Sequence, residues 1–272
     1  MRDLARRTRR RRQASSSGAR RRTATRRSVR VDPEAVLRSV VNDIVSKLGL
    51  DVLGLEENDY LNILRPVVEA VVSSYSSRPS REAVISRIVN NPRPVYMYAA
   101  AYLLEKREYL NEEQLEFVIV NAPEIAARFV SRLYRGVVSA GRKDLVALLR
   151  GAWEKFGRPL PVTCPYCGFR SVTPDYYCIV CEREVNEKDI KESINFNELL
   201  KEYVEFYGYS GVRETLEKGY VVLRETLYPP SSEEVGEPGL RLYLSRKERE
   251  LLRQLAKLHS SVERSESGDR RG

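Results

Sequence analysis

Histidine occurs once in this 272-residue chain, at His259, and cysteine four times, all within eighteen residues. The single histidine removes most imidazole-based catalysis and every histidine-rich metal site. His259 itself sits one position from Leu258 near the end of a predicted helix, where a histidine commonly complements the helix dipole, so no catalytic role is assigned to it. No run of about eighteen apolar residues exists, so no membrane-spanning helix is expected. Also absent are the Gly-x-x-x-x-Gly-Lys-Ser/Thr phosphate loop, the Gly-x-Gly-x-x-Gly dinucleotide turn and the His-Glu-x-x-His zinc-protease helix. No nucleophile elbow is present, and no cysteine stands free beside a histidine. These absences exclude the enzyme classes that announce themselves by short motifs. They leave open a metal-dependent nuclease built from scattered carboxylates, which leaves no spacing to read. The adjacent acids Glu56-Glu57, Glu112-Glu113 and Glu233-Glu234 fall at helix starts or in a loop, positions that suit the macrodipole or solubility better than Mg²⁺ binding.

The four cysteines form two Cys-x-x-Cys pairs, Cys164/Cys167 and Cys178/Cys181, ten residues apart. Such a pair lets two sulfurs face one ion, and two pairs on neighbouring turns complete a tetrahedral four-thiolate site. Gly168 closes the first pair at the point where the chain must turn sharply, a place for φ > 0. Two disulfides or a redox dithiol are the competing readings. A redox site needs one reactive pair rather than two matched ones, and no secretory signal pattern opens the sequence. The expectation is therefore a zinc ribbon over 158–186, holding one structural Zn²⁺ in a reducing, cytoplasmic compartment; nucleoid or nucleus also fit. The ion would stand in for a core that so short a segment cannot bury. Tyr166, Phe169, Tyr176, Tyr177 and Arg170 lie near the ribbon's tip. They either face nucleic acid or a protein partner, or pack on adjacent helices. No family resemblance extends beyond this generic ribbon pattern, which covers about 162–184.

Charge is unevenly spread. Residues 1–30 hold thirteen arginines against one acid, Asp3, a net +12; the whole chain carries +9, so the remaining 242 residues sum to −3. This segment has too few apolar residues to order itself. Residues 1–31 are read as a disordered Arg-rich arm whose natural partner is a phosphate backbone, with Arg9, Arg10, Arg11, Arg12, Arg20, Arg21 and Arg22 as contacts. A transit peptide, an anionic membrane surface and an over-extended start are alternatives. A transit peptide lacks support because no hydrophobic face recurs at helical spacing.

Residues 32–157 read as six or seven helices. Asp32 caps and Pro33 opens the first, with Val36, Leu37, Val40, Val41, Ile44 and Val45 on one face and Gly49 as its stop. Helices are expected at 57–75, with Pro66 as a kink or restart, and at 81–90 after Ser80. Others follow at 94–109, from Asn111 with Gln114 as a capping box, at 123–139 and at 143–156. On the 123–139 helix, Arg128, Arg132 and Arg135 stand at i, i+4 and i+7 opposite Ile125, Phe129, Leu133 and Val137. They form either a basic nucleic-acid face, one surface with the ribbon and its Arg170 if the two lie side by side, or an ordinary solvated stripe paired with nearby Glu residues. Arg142, Lys143 and Arg150 come just after them.

After the ribbon, residues 187–260 read as a small α+β domain. It has helices at 187–193, 197–207 and 212–218, a strand over 220–227, a returning strand at 240–244 and a last helix opened by Ser245 and Glu248. This order is conceivable as a winged helix, but Arg213 and Lys218 are cancelled by Glu214 and Glu217 on the would-be recognition helix. Residues 261–272 are expected to be a disordered tail. The chain as a whole is expected to be mainly α, with an N-terminal multi-helix domain, a central four-cysteine zinc ribbon and a small C-terminal α+β region. The leading function is a non-enzymatic protein of the information-processing machinery that binds DNA, RNA or a nucleoprotein complex. A pure protein–protein adaptor and the dispersed-carboxylate nuclease are the alternatives.

Overall fold

In a computed structural model the structure describes residues 32–223, 227–228 and 239–269, with 227–228 and 260–269 given by backbone only. The expectations for residues 1–31, including Arg9 to Arg12 and Arg20 to Arg22, lie outside the described residues. So do the loop around Glu233-Glu234 and residues 270–272. The protein is mainly α, with eleven helices among the described residues.

Eight helices build the N-terminal domain: α1 (Pro33–Lys47), α2 (Glu57–Ser73), α3 (Arg81–Val89), α4 (Arg93–Lys106), α5 (Glu112–Asn121), α6 (Pro123–Arg128), α7 (Val130–Ser139) and α8 (Lys143–Phe156). Their ends follow local chemistry. The Asp32 carboxylate accepts from the Glu34 N–H, Ser80 caps α3, and Asn111 and Gln114 close a reciprocal box on α5. Gly49 terminates α1 in the left-handed region at φ 62. The apolar stripes close on one another: Leu37, Val40 and Ile44 of α1 bury with Leu64 and Val68 of α2, Ile88 of α3, Leu103 of α4 and Val118 of α5. A single 3-10 turn, Leu50–Leu53, plugs this core. It is held by the Gln114 amide donating to the Leu53 carbonyl at 2.8 Å and the Tyr60 hydroxyl donating to the Leu50 carbonyl at 2.9 Å.

α2 runs through Pro66, so of the kink or restart expected there no restart occurs. Two expectations about this domain change. The predicted 123–139 helix is two helices, because Phe129 (φ −113, ψ 28) leaves helical geometry, and its N–H is shared between the Ile125 and Ala126 carbonyls. Both α6 and α7 pack on α8, and α7 also meets the ribbon through Ser131 and Tyr134. Phe129, expected on the buried face, is 43% exposed.

The ribbon is a four-stranded antiparallel meander, β1 (Val162–Thr163), β2 (Arg170–Val172), β3 (Tyr177–Cys178) and β4 (Arg183–Glu184), in sequential order. Beyond it come α9 (Glu187–Ser193) and α10 (Phe196–Lys218), then β5 (Tyr220–Leu223), β6 (Leu227–Tyr228) and β7 (Leu240–Tyr243), and last α11 (Arg246–Asp269). β5 is central in this second sheet, antiparallel to both neighbours. The two helices expected over 197–218 are both present within α10, divided by a kink at Gly208, whose φ of 63 and ψ of −162 belong to glycine alone. α10 packs on α11, and Arg213 pairs with Glu217 at 3.0 Å, the cancellation of charge expected on that helix. α11 opens on the expected Ser245/Glu248 box. It also takes up residues 261–269, which were expected to be a disordered tail; once a helix is nucleated, each further residue costs little, and no proline interrupts this stretch. No helix of the described residues is long and apolar enough to cross a membrane.

Candidate metal centre

Each Cys-x-x-Cys pair sits on a tight turn closed by the same bond. The Gly168 N–H donates to the Cys164 carbonyl at 2.8 Å, and the Glu182 N–H donates to the Cys178 carbonyl at 2.9 Å. Both closing residues are left-handed, Gly168 at φ 75 and Glu182 at φ 57. The turns lie side by side because the Ile179 N–H donates to the Ser171 carbonyl, joining the second turn to β2. The result is one cluster in which all four Sγ atoms lie within 4.8 Å of one another. Cys164 is 3.8 Å from Cys181 and Cys167 is 3.6 Å from Cys178, each contact crossing from one turn to the other. A disulfide requires about 2.0 Å, so these are four free thiols, three buried and Cys181 half-buried. Among the described residues they are the one group of three or more His, Cys, Asp or Glu side chains whose ligand atoms converge.

Electrostatics favour a cation there. The hydrogen bond from the Cys167 thiol, with help from the Cys181 N–H and the Ser171 hydroxyl, brings Cys178 down to about 4 against the cost of burial. The same bond pushes Cys167 far up, since its proton is held by the Cys178 sulfur. Burial and then the Cys178 charge push Cys181 up to about 12. One anion thus resists the formation of others, and only a positive ion at the centre reverses that resistance. The site can hold a metal ion, and four sulfurs close it.

Part of the ribbon is packed against its neighbours. Phe169 is fully buried, its ring edge-on to Tyr134 of α7 at 5.6 Å and capped by the Arg150 guanidinium at 5.7 Å. Trp153 of α8 donates from Nε1 to the Arg170 carbonyl at 3.0 Å. Tyr176 is half-buried, and burial raises its hydroxyl to about 12. Tyr166 donates to Asp189 of α9, which raises its pKa, and it stays 45% exposed; Tyr177 is 39% exposed. Of the open choice between display and packing, packing takes Phe169, Tyr176 and the Arg170 backbone.

The basic stripe separates into different roles. Arg132 donates to the Leu104, Arg107 and Glu108 carbonyls, which end α4 and begin the following loop. It therefore acts as a C-terminal cap on a neighbouring helix. Arg135 faces Glu182 at 3.7 Å, and Arg170 donates to the Leu160 carbonyl and pairs with Glu154 at 3.5 Å. Arg128 ends α6 and is exposed. Several acids also have structural employment. Glu56 and Asp59 form a capping box, and Glu112, Glu116 and Asp144 gather on Arg142. A groove of about 1060 Å³ beside Arg132 has a rim of mixed charge, including Glu105, Lys106, Arg107 and Glu108, and it does not include the cysteines.

Sequence reasoning missed Glu182, which accepts from the Ser131 hydroxyl as well as facing Arg135. A signal was available: Glu182 stands four residues after Cys178, as Gly168 stands four after Cys164. Ser171 and Trp153 left no such trace, because their roles come from packing. Compared with family models, curated proteins and solved structures, the chain finds no significant match.

Proposed function

We propose that this chain is a non-enzymatic zinc-ribbon protein that binds nucleic acid or a nucleoprotein complex, with zinc in a structural role. A tetrahedral ion with metal–sulfur bonds of about 2.3 Å, the zinc–thiolate length, needs sulfur–sulfur edges of about 3.8 Å. The two cross-turn separations, 3.8 and 3.6 Å, fit it. An all-sulfur tetrahedral set favours zinc over hard cations such as Mg²⁺ or Ca²⁺. Four protein ligands leave no position for water or substrate, which favours support over catalysis.

The observation that carries the nucleic-acid half is the placing of charge: +12 on residues 1–30 and −3 on everything after. Arg132, Arg135 and Arg170 are engaged within the fold, so the affinity is assigned chiefly to Arg9 to Arg12 and Arg20 to Arg22, with Arg128 as an auxiliary contact. Filter binding to random DNA and RNA tests this. For six to ten phosphate contacts, affinity should fall by about a thousandfold or more between 50 and 200 mM salt. Removing residues 1–30 should abolish most of that slope; an unchanged slope refutes the arm's role.

The adaptor reading has one observation in its favour. Phe206 is 81% and Tyr209 62% exposed on α10, near the acids Glu202 and Glu205, a surface that suits a protein better than phosphate. No retention of either nucleic acid at low salt would select it.

A further inference from the structure

The ribbon touches the molecule on two sides, and each turn of the metal centre takes part. Toward the helical domain, Glu182 of the second turn accepts from Ser131 and faces Arg135, and Cys167 of the first turn offers its carbonyl to Arg150 at 3.4 Å. Toward the C-terminal module, Tyr166 of the first turn donates to Asp189 and Tyr176, at the start of the second hairpin, donates to the Arg241 carbonyl of β7. Two of these four, Glu182 and Tyr176, lie in the left-handed region at φ 57 and φ 60, where a side-chain-bearing residue is strained. A strained conformation persists only where its surroundings over-determine it. Here those surroundings are the short turns and strands around four sulfurs. β3 and β4 are two residues each, too few for their ladder alone to fix the backbone.

We propose that the metal centre is a latch between the two halves of the protein. With an ion bound, the strained turns aim Glu182 at α7 and Tyr176 at β7, and the C-terminal module is held against the helical domain in one arrangement. When the ion leaves, the four sulfurs no longer share a centre, the left-handed residues relax, and both contacts open together. Metal occupancy then sets how the C-terminal module is presented, which regulates whatever that module meets. This inference rests on the reading that the cysteines hold a metal.

The test uses the full chain, with its metal and after chelation, followed by hydrogen exchange, small-angle scattering and metal analysis. On metal removal, amides of 162–185, α9 and β7 should exchange about tenfold faster or more, while α1 to α3 change by less than about twofold, because local opening is confined to the released unit. The radius of gyration should rise and return when zinc is restored. A second variant, Glu182→Ala with Tyr176→Phe, keeps all four sulfurs; it should still bind one ion yet show the opened exchange pattern with the ion in place. If metal binds at one per chain but its removal changes neither exchange nor radius, or if the double variant exchanges like the parent, the latch is refuted. If no metal copurifies or binds, the underlying metal reading fails instead.

Discussion

Replacing Cys178 by serine is the sharpest perturbation of the metal centre. Its sulfur lies 3.6 Å from that of Cys167, accepts from the Cys181 N–H at 3.4 Å, and lies 3.0 Å from the Ser171 oxygen. Serine keeps the shape of the turn but supplies a shorter arm and, at neutral pH, no anion. Structural zinc in small four-ligand sites binds with about 10–16 kcal/mol, so one ligand in four represents roughly 3 kcal/mol or somewhat more. At 1.4 kcal/mol per tenfold, that predicts an affinity loss of at least about a hundredfold. Competition against a chromophoric zinc chelator measures it directly. Because folding and binding are coupled in such sites, the variant's melting temperature should also fall, and more zinc should be needed to raise it. A Cys178→Ser protein that holds zinc as tightly as the parent would overturn the assignment of the four cysteines as a single ligand set.

Other outcomes follow from neighbouring contacts. Arg132→Met should destabilise the helical domain by about 1–3 kcal/mol, since charged hydrogen bonds to the end of α4 are lost, while nucleic-acid affinity stays the same; denaturant melts and filter binding separate the two. Phe169→Ala should cost about 3–5 kcal/mol, as truncation of a fully buried phenyl ring between Tyr134 and the metal turns leaves a cavity. Glu248 titrates below its usual range: burial opposes ionisation, but the Ser245 N–H and hydroxyl and the Lys191 ammonium outweigh it. A carboxylate depressed in the folded state stabilises above its unfolded value near 4.3, and that contribution is lost as pH falls through the folded value. Glu248→Gln should therefore weaken the C-terminal module at pH 7 and narrow its stability difference from the parent below about pH 4, read from urea melts at the two pH values.

Much of the secondary structure was legible because it is set by neighbours in sequence. Asp32, Ser80, Asn111 with Gln114, and Ser245 with Glu248 begin their helices by bonds within three residues, and Gly49 ends one through its own φ. What was misread involves competition between local preference and packing. Periodicity carries a helix straight through Phe129, but the backbone leaves helical geometry there, and α6 and α7 both pack on α8. The Arg128, Arg132 and Arg135 spacing looks like one basic face, yet Arg132 turns back to cap α4, which lies 25 or more residues earlier.

That four sulfurs belong together was legible from residue order alone, because the spacing within each Cys-x-x-Cys pair is a local property. So was the excess of positive charge before residue 31, because net charge is a matter of composition. What the ribbon faces was set by folding. Whether Phe169 and Tyr176 meet a partner or a helix depends on which surfaces α7, α8 and β7 bring alongside, and those surfaces are assembled from residues far apart in the chain. The same holds for Glu182: its turn is written in the Cys178-x-x-Cys181 spacing, but its partners, Ser131 and Arg135, arrive only when the domain folds.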